Sequence, residues 1–366
     1  MKTLLISGIY RPEIGGPATY IPALASAIQS QSGSVEVVTL KNSSANELAE
    51  PWPVKYINRD QFLIFRFLKT FIHIKRRIST SEFIFSNGLF QETAFALLGS
   101  GKKSLAKIVG DPVWERAFNR GETSLTIKEF NKSKLSFKHQ IQRLFLKWSL
   151  NRFSQITCPS LELKELIQGW GINVETSCIP NGISAIKPQS NSDEFDLISV
   201  CRLVKWKNLD KLITANSMCR TKLVIVGSGP EDKKLKKLAS DLNSNVVFAG
   251  QLSEQEVINY LFRSKVFVLI SDYEGLSFSL LQAMACGLPS IVSNIKGNLD
   301  VISDNTDGIV VDVNKLSSLI DAINSLLQSS AELKKLGERA REKVLNKYSQ
   351  QNQLNLVIKL LRAPKK

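Results

Sequence analysis

The chain has 366 residues, 43% hydrophobic and 22% charged, a soluble globular balance that excludes disordered and collagen-like classes and, by length, predicts two domains rather than one core. The formal charge of +15, from 48 Lys and Arg against 33 Asp and Glu, leans toward the first half and suits phosphorylated substrates or an anionic membrane surface; with no RNP signature, zinc finger or recognition helix, nucleic acid is excluded as the partner. No run nears the ~20 apolar residues of a membrane span, and five scattered cysteines without a CxxC read as reduced and structural, as in a cytoplasmic protein.

The opening segment MKTLLIS is too short for a signal-peptide core and reads as a first strand, Thr3–Ser7. A glycine-containing loop and a helix over about 18–31 follow, then a strand at Val35–Leu40. Helix Phe62–Ile78 leads to strand Phe83–Ser86, and Leu105–Val109 is a strand before Gly110-Asp111-Pro112. Phe137–Phe153 reads as a helix, Gln155–Cys158 as a strand, and Ser160–Gln168 as a helix capped by Ser160 and ended by Gly169 and Gly171.

Polar residues 185–194 are the linker candidate. Strands then recur at Asp196–Cys201, Lys222–Val226, Asn245–Phe248, Lys265–Ile270, Ser290–Val292 and Gly308–Val311. Helices fall at Asp232–Leu242, Glu254–Phe262, Leu316–Leu327, Ala331–Lys347 and Gln351–Arg362. Alternation of this kind predicts parallel sheets covered on both faces. The expected fold class is α/β, with two Rossmann-like domains facing across a cleft: residues 1–184, residues 195–348, and a last helix, 349–366, returning to the first domain. In open parallel sheets the ligand lies beyond the carboxyl ends of the strands.

Four strand-end loops in the second half carry candidate chemistry. In Cys201-Arg202-Leu203-Val204-Lys205-Trp206-Lys207, Arg202 and Lys207 suit a diphosphate, or are solvated surface charges. Gly227 and Gly229 in VGSGP would let a ligand approach the backbone, or form a plain tight turn. Gln251 follows another strand end and is a candidate base contact. The segment SDYEGLSFSLLQAMACGLP, 271–289, runs from a strand through an acidic loop into a helix N-terminus. Free N–H groups there suit a phosphate, and Glu274 beside them suits sugar hydroxyls.

In order and spacing, IPNG, R-L-V-x-x-K, VGSGP and EGLSFSLLQAMACGLP resemble the retaining glycosyltransferase family 4, which has the GT-B fold. Glu13-Ile14-Gly15-Gly16-Pro17, Asn87-Gly88-Leu89-Phe90 and VGDPVWE at 109–115 are similar to a bacterial branch that builds surface polysaccharides. The resemblance implies transfer of a sugar, with retention, from a UDP- or GDP-sugar to a saccharide or lipid-linked acceptor. It implies that Arg202 and Lys207 grip the diphosphate and that Glu274, the first glutamate of the EX7E motif, lies near the donor sugar. Gly275, Leu276 and Ser277 would present backbone N–H groups, and Gly15 and Gly16 would close over the donor.

Two positions depart from the family pattern. The second EX7E glutamate, which holds the ribose, is Gln282 here; it keeps a carbonyl acceptor but loses the charge. The expected first-domain histidine is also missing, since His73 and His139 fall in predicted helices. Asp111 is the best occupant of that place, either orienting hydroxyls or serving as a turn residue before Pro112. No cofactor is expected, and no metal: the chain lacks an Asp-x-Asp pair and any metal-ligand cluster. A non-catalytic sugar-nucleotide-binding relative is the alternative. A nicotinamide oxidoreductase is disfavoured because Gly8-Ile9-Tyr10-Arg11-Pro12 supplies no GxGxxG.

Helix 62–78 and the basic segment 128–147 are candidates for an anionic membrane surface, which would make the protein peripheral at the inner face of the plasma membrane. The competing expectation is core packing, with Phe62, Phe65, Phe67 and Phe71 largely buried.

Overall fold

The structure is a computed structural model and describes residues 1–13, 15–43, 47–187, 189 and 193–363. Pro188 and residues 190–192 of the expected linker, and Ile14 of the N-terminal glycine loop, lie outside the described residues.

The chain divides into two compact units. The first comprises Met1–Arg116, Lys128–Pro180 and Gln351 onward; the second comprises Ala117–Ile127 and Asn181–Gln350. The expected boundary at 184 thus falls at 180, and the stretch Ala117–Ile127 clusters with the second unit.

Seven strands build the first unit: β1 Lys2–Ser7, β2 Ser34–Lys41, β3 Val54–Asn58, β4 Phe83–Asn87, β5 Lys103–Lys107, β6 Gln155–Cys158 and β7 Thr176–Cys178. They lie parallel in the order β3-β2-β1-β4-β5-β6-β7. The order reverses between β1 and β4. There Gly88, at φ +110°, approaches Gly8 so closely that a Cβ would lie 3.0 Å from the Gly8 nitrogen. The last helix, Gln350–Arg362, buries Leu354, Val357, Ile358 and Leu361, and Asn355 accepts a hydrogen bond from Gln31 at 2.9 Å.

The second unit holds β8 Phe195–Val200, β9 Leu223–Val226, β10 Val246–Gly250, β11 Ser264–Leu269, β12 Ser290–Ser293 and β13 Ile309–Val311. All are parallel, in the order β10-β9-β8-β11-β12-β13. Alternate residues feed two cores. Phe267 and Leu269 join a cluster with Leu280, Leu281 and Val344, while Val266 and Val268 join one with Leu212, Ile213 and Ile323. Both faces are therefore sealed by helices, as continuous apolar strands require. The reversal between β8 and β11 sets the loops that follow them side by side.

Elements outside the sequence expectation include β3, β7 and helices Phe90–Leu97, Pro112–Asn119 and Ile127–Lys132. β3 and β7 are edge strands of five and three residues with half-buried patterns, and an edge needs no continuous apolar run.

The expected burial of helix 62–78 is corrected. The helix spans Leu63–Ile78 and buries Thr70, Ile74 and Ile78. Phe67 and Phe71 are half-buried, but Phe62 and Phe65 stand 69% and 63% exposed. The helix is apolar on two sides, and the sheet covers one.

Candidate functional site

The loops after β8 and β11 are stitched together. Asn208 sits in the left-handed region at φ 51°, where its own backbone ends the short helix Lys205–Lys207 and starts helix Leu209–Cys219. Its Nδ2 donates to the Ile270 carbonyl at 2.9 Å and to Asp272 Oδ1 at 2.7 Å. The Asp272 N–H donates to the Trp206 carbonyl at 2.8 Å. Burial holds the Asp272 carboxyl above the usual range, against the lowering effect of the Asn208 hydrogen bond.

This stitching brings Lys207 onto Glu274. Their Nζ and Oε1 form a short ion pair between side chains only 13% and 10% exposed. Ser271 Oγ donates to the same Oε1 at 2.6 Å. Behind the pair, Gly297 packs so tightly that a Cβ would lie 2.0 Å from the Glu274 carbonyl oxygen. Arg202, in the same β8 loop, is exposed and pairs with no carboxylate among the described residues.

Beyond Glu274 the chain enters helix Phe278–Ala285. Ser277 is its N-cap, with Oγ accepting from the Leu280 N–H at 3.3 Å and touching Ser279 Oγ at 3.0 Å. Leu276 is buried, and its carbonyl accepts from Asn181 Nδ2 at 2.9 Å. The Asn181 of the IPNG motif therefore anchors the loop whose N–H groups are the candidate phosphate donors. Gly275 is buried between Glu274 and Leu276.

At Gly227, φ +136°, a Cβ would lie 1.9 Å from the Cys201 carbonyl oxygen, and at Gly229 2.2 Å from that of Leu203. The room a side chain would need is filled by the β8 loop, and Leu203 N donates to the Ser228 carbonyl at 3.0 Å. The two glycines thus let the β8 loop pack closely, while both remain half-buried and Ser228 between them is exposed. Gln251 is exposed and accepts from Ser228 Oγ at 3.1 Å.

Gln282 donates from Nε2 to Glu254 Oε1 at 3.3 Å. Glu254 opens helix Glu254–Phe262, which carries a complete Ser253–Glu256 capping box. A glutamate at 282 would set two carboxylates against each other, so the amide suits its neighbour.

Asp111, Gly15 and Gly16 belong to the first unit. Asp111 is fully buried with both oxygens engaged: Oδ1 accepts from Val113 N at 3.0 Å and Trp114 N at 3.2 Å. Oδ2 accepts from Asn131 at 2.9 Å and pairs with Arg143 at 2.5 Å. Arg143 in turn lies 4.4 Å from the centroid of the Trp170 ring. Asp111 thus caps helix Pro112–Asn119, with Pro112 at its first position, and the hydroxyl-orienting role expected for it has no free oxygen to use. Gly15 precedes helix Gly16–Ser30 at φ 152°, and a Cβ there would meet Ile9 Cδ1 at 2.7 Å. His73 and His139 lie in helices Leu63–Ile78 and Phe137–Leu150; His139 is buried against Ser136 and Phe130.

Asn208, Ser271, Gly297 and Asn181 are positioning residues that sequence reasoning missed. Asn208 adjoins Lys207 in the motif, which is the one signal that pointed to it. Ser271 and Asn181 act through side-chain hydrogen bonds, and Gly297 through a close backbone contact that no residue type announces. Among the described residues, no group of three His, Cys, Asp or Glu could hold a metal ion.

The architecture is that of the GT-B class. A sucrose-phosphate synthase from Thermosynechococcus elongatus superposes with a TM-score of 0.80 at 20% identity, over 99% of this chain and 98% of the other. HepE from Anabaena, solved with UDP and glucose, does so with a TM-score of 0.80 at 15% identity over the whole of both chains. Residues 183–343 match the family model described as glycosyl transferases group 1. It is 32% identical over 190 residues to a GDP-mannose-dependent monoacylated alpha-(1-6)-phosphatidylinositol monomannoside mannosyltransferase of Corynebacterium glutamicum, covering 47% of this chain and 50% of that protein. It is 30% identical over 200 residues to a UDP-Gal:alpha-D-GlcNAc-diphosphoundecaprenol alpha-1,3-galactosyltransferase of Escherichia coli, covering 48% and 51%. The chain spans about half the length of these curated relatives.

Proposed function

We propose that the chain is a glycosyltransferase that takes a sugar from a UDP- or GDP-sugar and transfers it, with retention, to a hydroxyl of a saccharide or lipid-linked acceptor in bacterial surface-polysaccharide synthesis. The observation that carries this reading is the Lys207–Glu274 pair, with exposed Arg202 beside it, where the strand order of the second unit reverses. Two cations and a carboxylate at such a place match a ligand that carries both a diphosphate and hydroxyls. The relatives' donors, GDP-mannose and UDP-galactose, are of that chemistry.

In the proposed reaction Arg202, Lys207 and the N–H groups around Ser277 stabilise the departing diphosphate. The acceptor hydroxyl attacks the anomeric carbon from the face the phosphate leaves, a C–O bond forms as the donor's C–O bond breaks, and a phosphate oxygen takes the hydroxyl proton. Glu274 holds the sugar and keeps Lys207 in place. Metal independence rests on the sequence, which has no Asp-x-Asp pair; loss of turnover on adding a chelator would overturn it. A second reading, a non-catalytic sugar-nucleotide binder, is favoured by Gln282 and by the missing first-domain histidine.

A thermal-shift screen of UDP, GDP and their sugars tests the binding step, and release of UDP or GDP from the stabilising donor tests transfer. Stabilisation with nucleotide release supports the enzyme. Stabilisation without release favours the binder, and no stabilisation by any nucleotide sinks both.

A further inference from the structure

The first unit carries two helices that keep an apolar stripe outside the core. On Leu63–Ile78 the inward face is Thr70, Ile74 and Ile78. The opposite side presents Ile64, Phe65, Leu68 and Ile72, following the helical repeat, with Ile64 and Phe65 at least 60% exposed. On Phe137–Leu150 the inward face is His139, Leu146, Ser149 and Leu150. Its outward stripe is Phe137, Ile141, Leu144 and Phe145, with Phe137 79% and Leu144 64% exposed.

The two helices are joined through helix Phe90–Leu97. Phe95, on helix Phe90–Leu97, packs edge-on against Phe67 at 5.8 Å on one side and tilted against Phe145 at 6.1 Å and Trp148 at 4.7 Å on the other. An aromatic bridge therefore joins the helices, and large exposed hydrophobics gather along both.

The charge on the two helices has one sign. Neither helix contains an Asp or Glu. Arg77 is taken by Glu36 and Arg143 by Asp111; Lys69, Lys75 and Arg76 on the first helix and Lys138 on the second are exposed. A cleft lined by Leu144, Lys147, Trp148 and Arg152 adjoins the second stripe, with the Arg152 guanidinium 5.4 Å from the Trp148 ring centroid. Apolar side chains for acyl chains, a tryptophan at the border and cations for phosphates form a graded surface. A second copy of the chain would bring an equally cationic face against it.

We infer that these two helices form a single docking face for an anionic phospholipid bilayer. No helix among the described residues is long and apolar enough to cross a membrane, so the helices lie in the interface, apolar stripes down. The face is independent of the sugar chemistry proposed above.

The test is sedimentation of the full chain with phosphatidylcholine vesicles, and with mixed phosphatidylcholine–phosphatidylglycerol vesicles at low and high salt. The expected result is pelleting with the anionic vesicles, weakened by salt and absent with phosphatidylcholine alone. I64S/F65S and F137S/L144S should each lower partitioning about tenfold or more. Because all four side chains are exposed, the circular dichroism spectrum and Tm should be unchanged. K69E/R76E should weaken binding only to the anionic vesicles. No pelleting of the wild type, or wild-type pelleting of both serine variants, would overturn the inference. So would a lipid-free dimer that either serine variant makes monomeric, since the face would then belong to a second copy.

Discussion

Lys207 and Glu274 pair across the loops that follow β8 and β11, each side chain nearly nine-tenths buried and Glu274 held as well by Ser271. The pair closes the second unit at its strand-order reversal and leaves Arg202 exposed beside it. The same contact thus serves the fold and the proposed chemistry, and mutants can separate the two.

K207M should lower turnover on the order of 100- to 1,000-fold, because the leaving diphosphate loses a cation. It should also cost about 2–3 kcal/mol of stability by leaving the Glu274 charge uncompensated. K207M/E274Q should recover most of that stability and none of the turnover. Denaturant unfolding beside nucleotide-release kinetics checks both halves. Recovered turnover in the double variant would show that the pair is structural only.

Gln282 donates to Glu254, so Q282E should be slightly destabilised by facing carboxylates, and E254Q/Q282E should not. In the double variant, a charged acceptor at 282 should tighten UDP or GDP binding about tenfold if this residue meets the ribose, the ~1.4 kcal/mol difference between charged and neutral hydrogen bonds. Calorimetric titration reads the change; equal affinities would remove Gln282 from the donor site.

Gly297→Ala places a Cβ 2.0 Å from the Glu274 carbonyl oxygen, which is backbone and has little room to yield. The expected outcome is a loss of more than about 2 kcal/mol together with weakened nucleotide binding. A wild-type Tm would mean that the loop carrying Glu274 moves freely.

Lys107 is buried with its Nζ unpaired in hydrogen bonding and 4.2 Å from the Tyr20 ring centroid. Burial is the main cause that pushes its pKa from 10.5 down to about 8. Between those values the unfolded chain holds a proton that the folded chain has released. The contribution of Lys107 to stability therefore rises with pH across that window, and the full penalty is present below it. Lys107→Met should stabilise the protein by about 3 kcal/mol at neutral pH, with the advantage shrinking as pH climbs through the window. Urea unfolding of both proteins at several pH values measures it; a pH-independent difference would locate the effect in packing.

The central strands were legible because they are buried on both faces and read as apolar runs: Gln155–Cys158 was placed to the residue, as were helices Glu254–Phe262 and Leu316–Leu327. Edge strands β3 and β7 were not, since their half-exposed residues leave no such run. The candidate site was legible as residue types and order. Lys207 and Glu274, named from separate motifs, meet in the structure. What the site residues touch was not: Gly227 and Gly229 pack against the β8 loop, and Asp111 caps a helix.

By itself the sequence determined the parallel α/β alternation, the order of the glycosyltransferase-like motifs and the positive charge, because each is a local or compositional property. Tertiary structure alone decided that Lys207 meets Glu274, that Gly297 backs the pair, and that one side of helix Leu63–Ile78 stays outside the core. Those facts follow from strand order and from which helix face the sheet can cover. Both are set by contacts between distant parts of the chain, where hydrophobic periodicity carries no information.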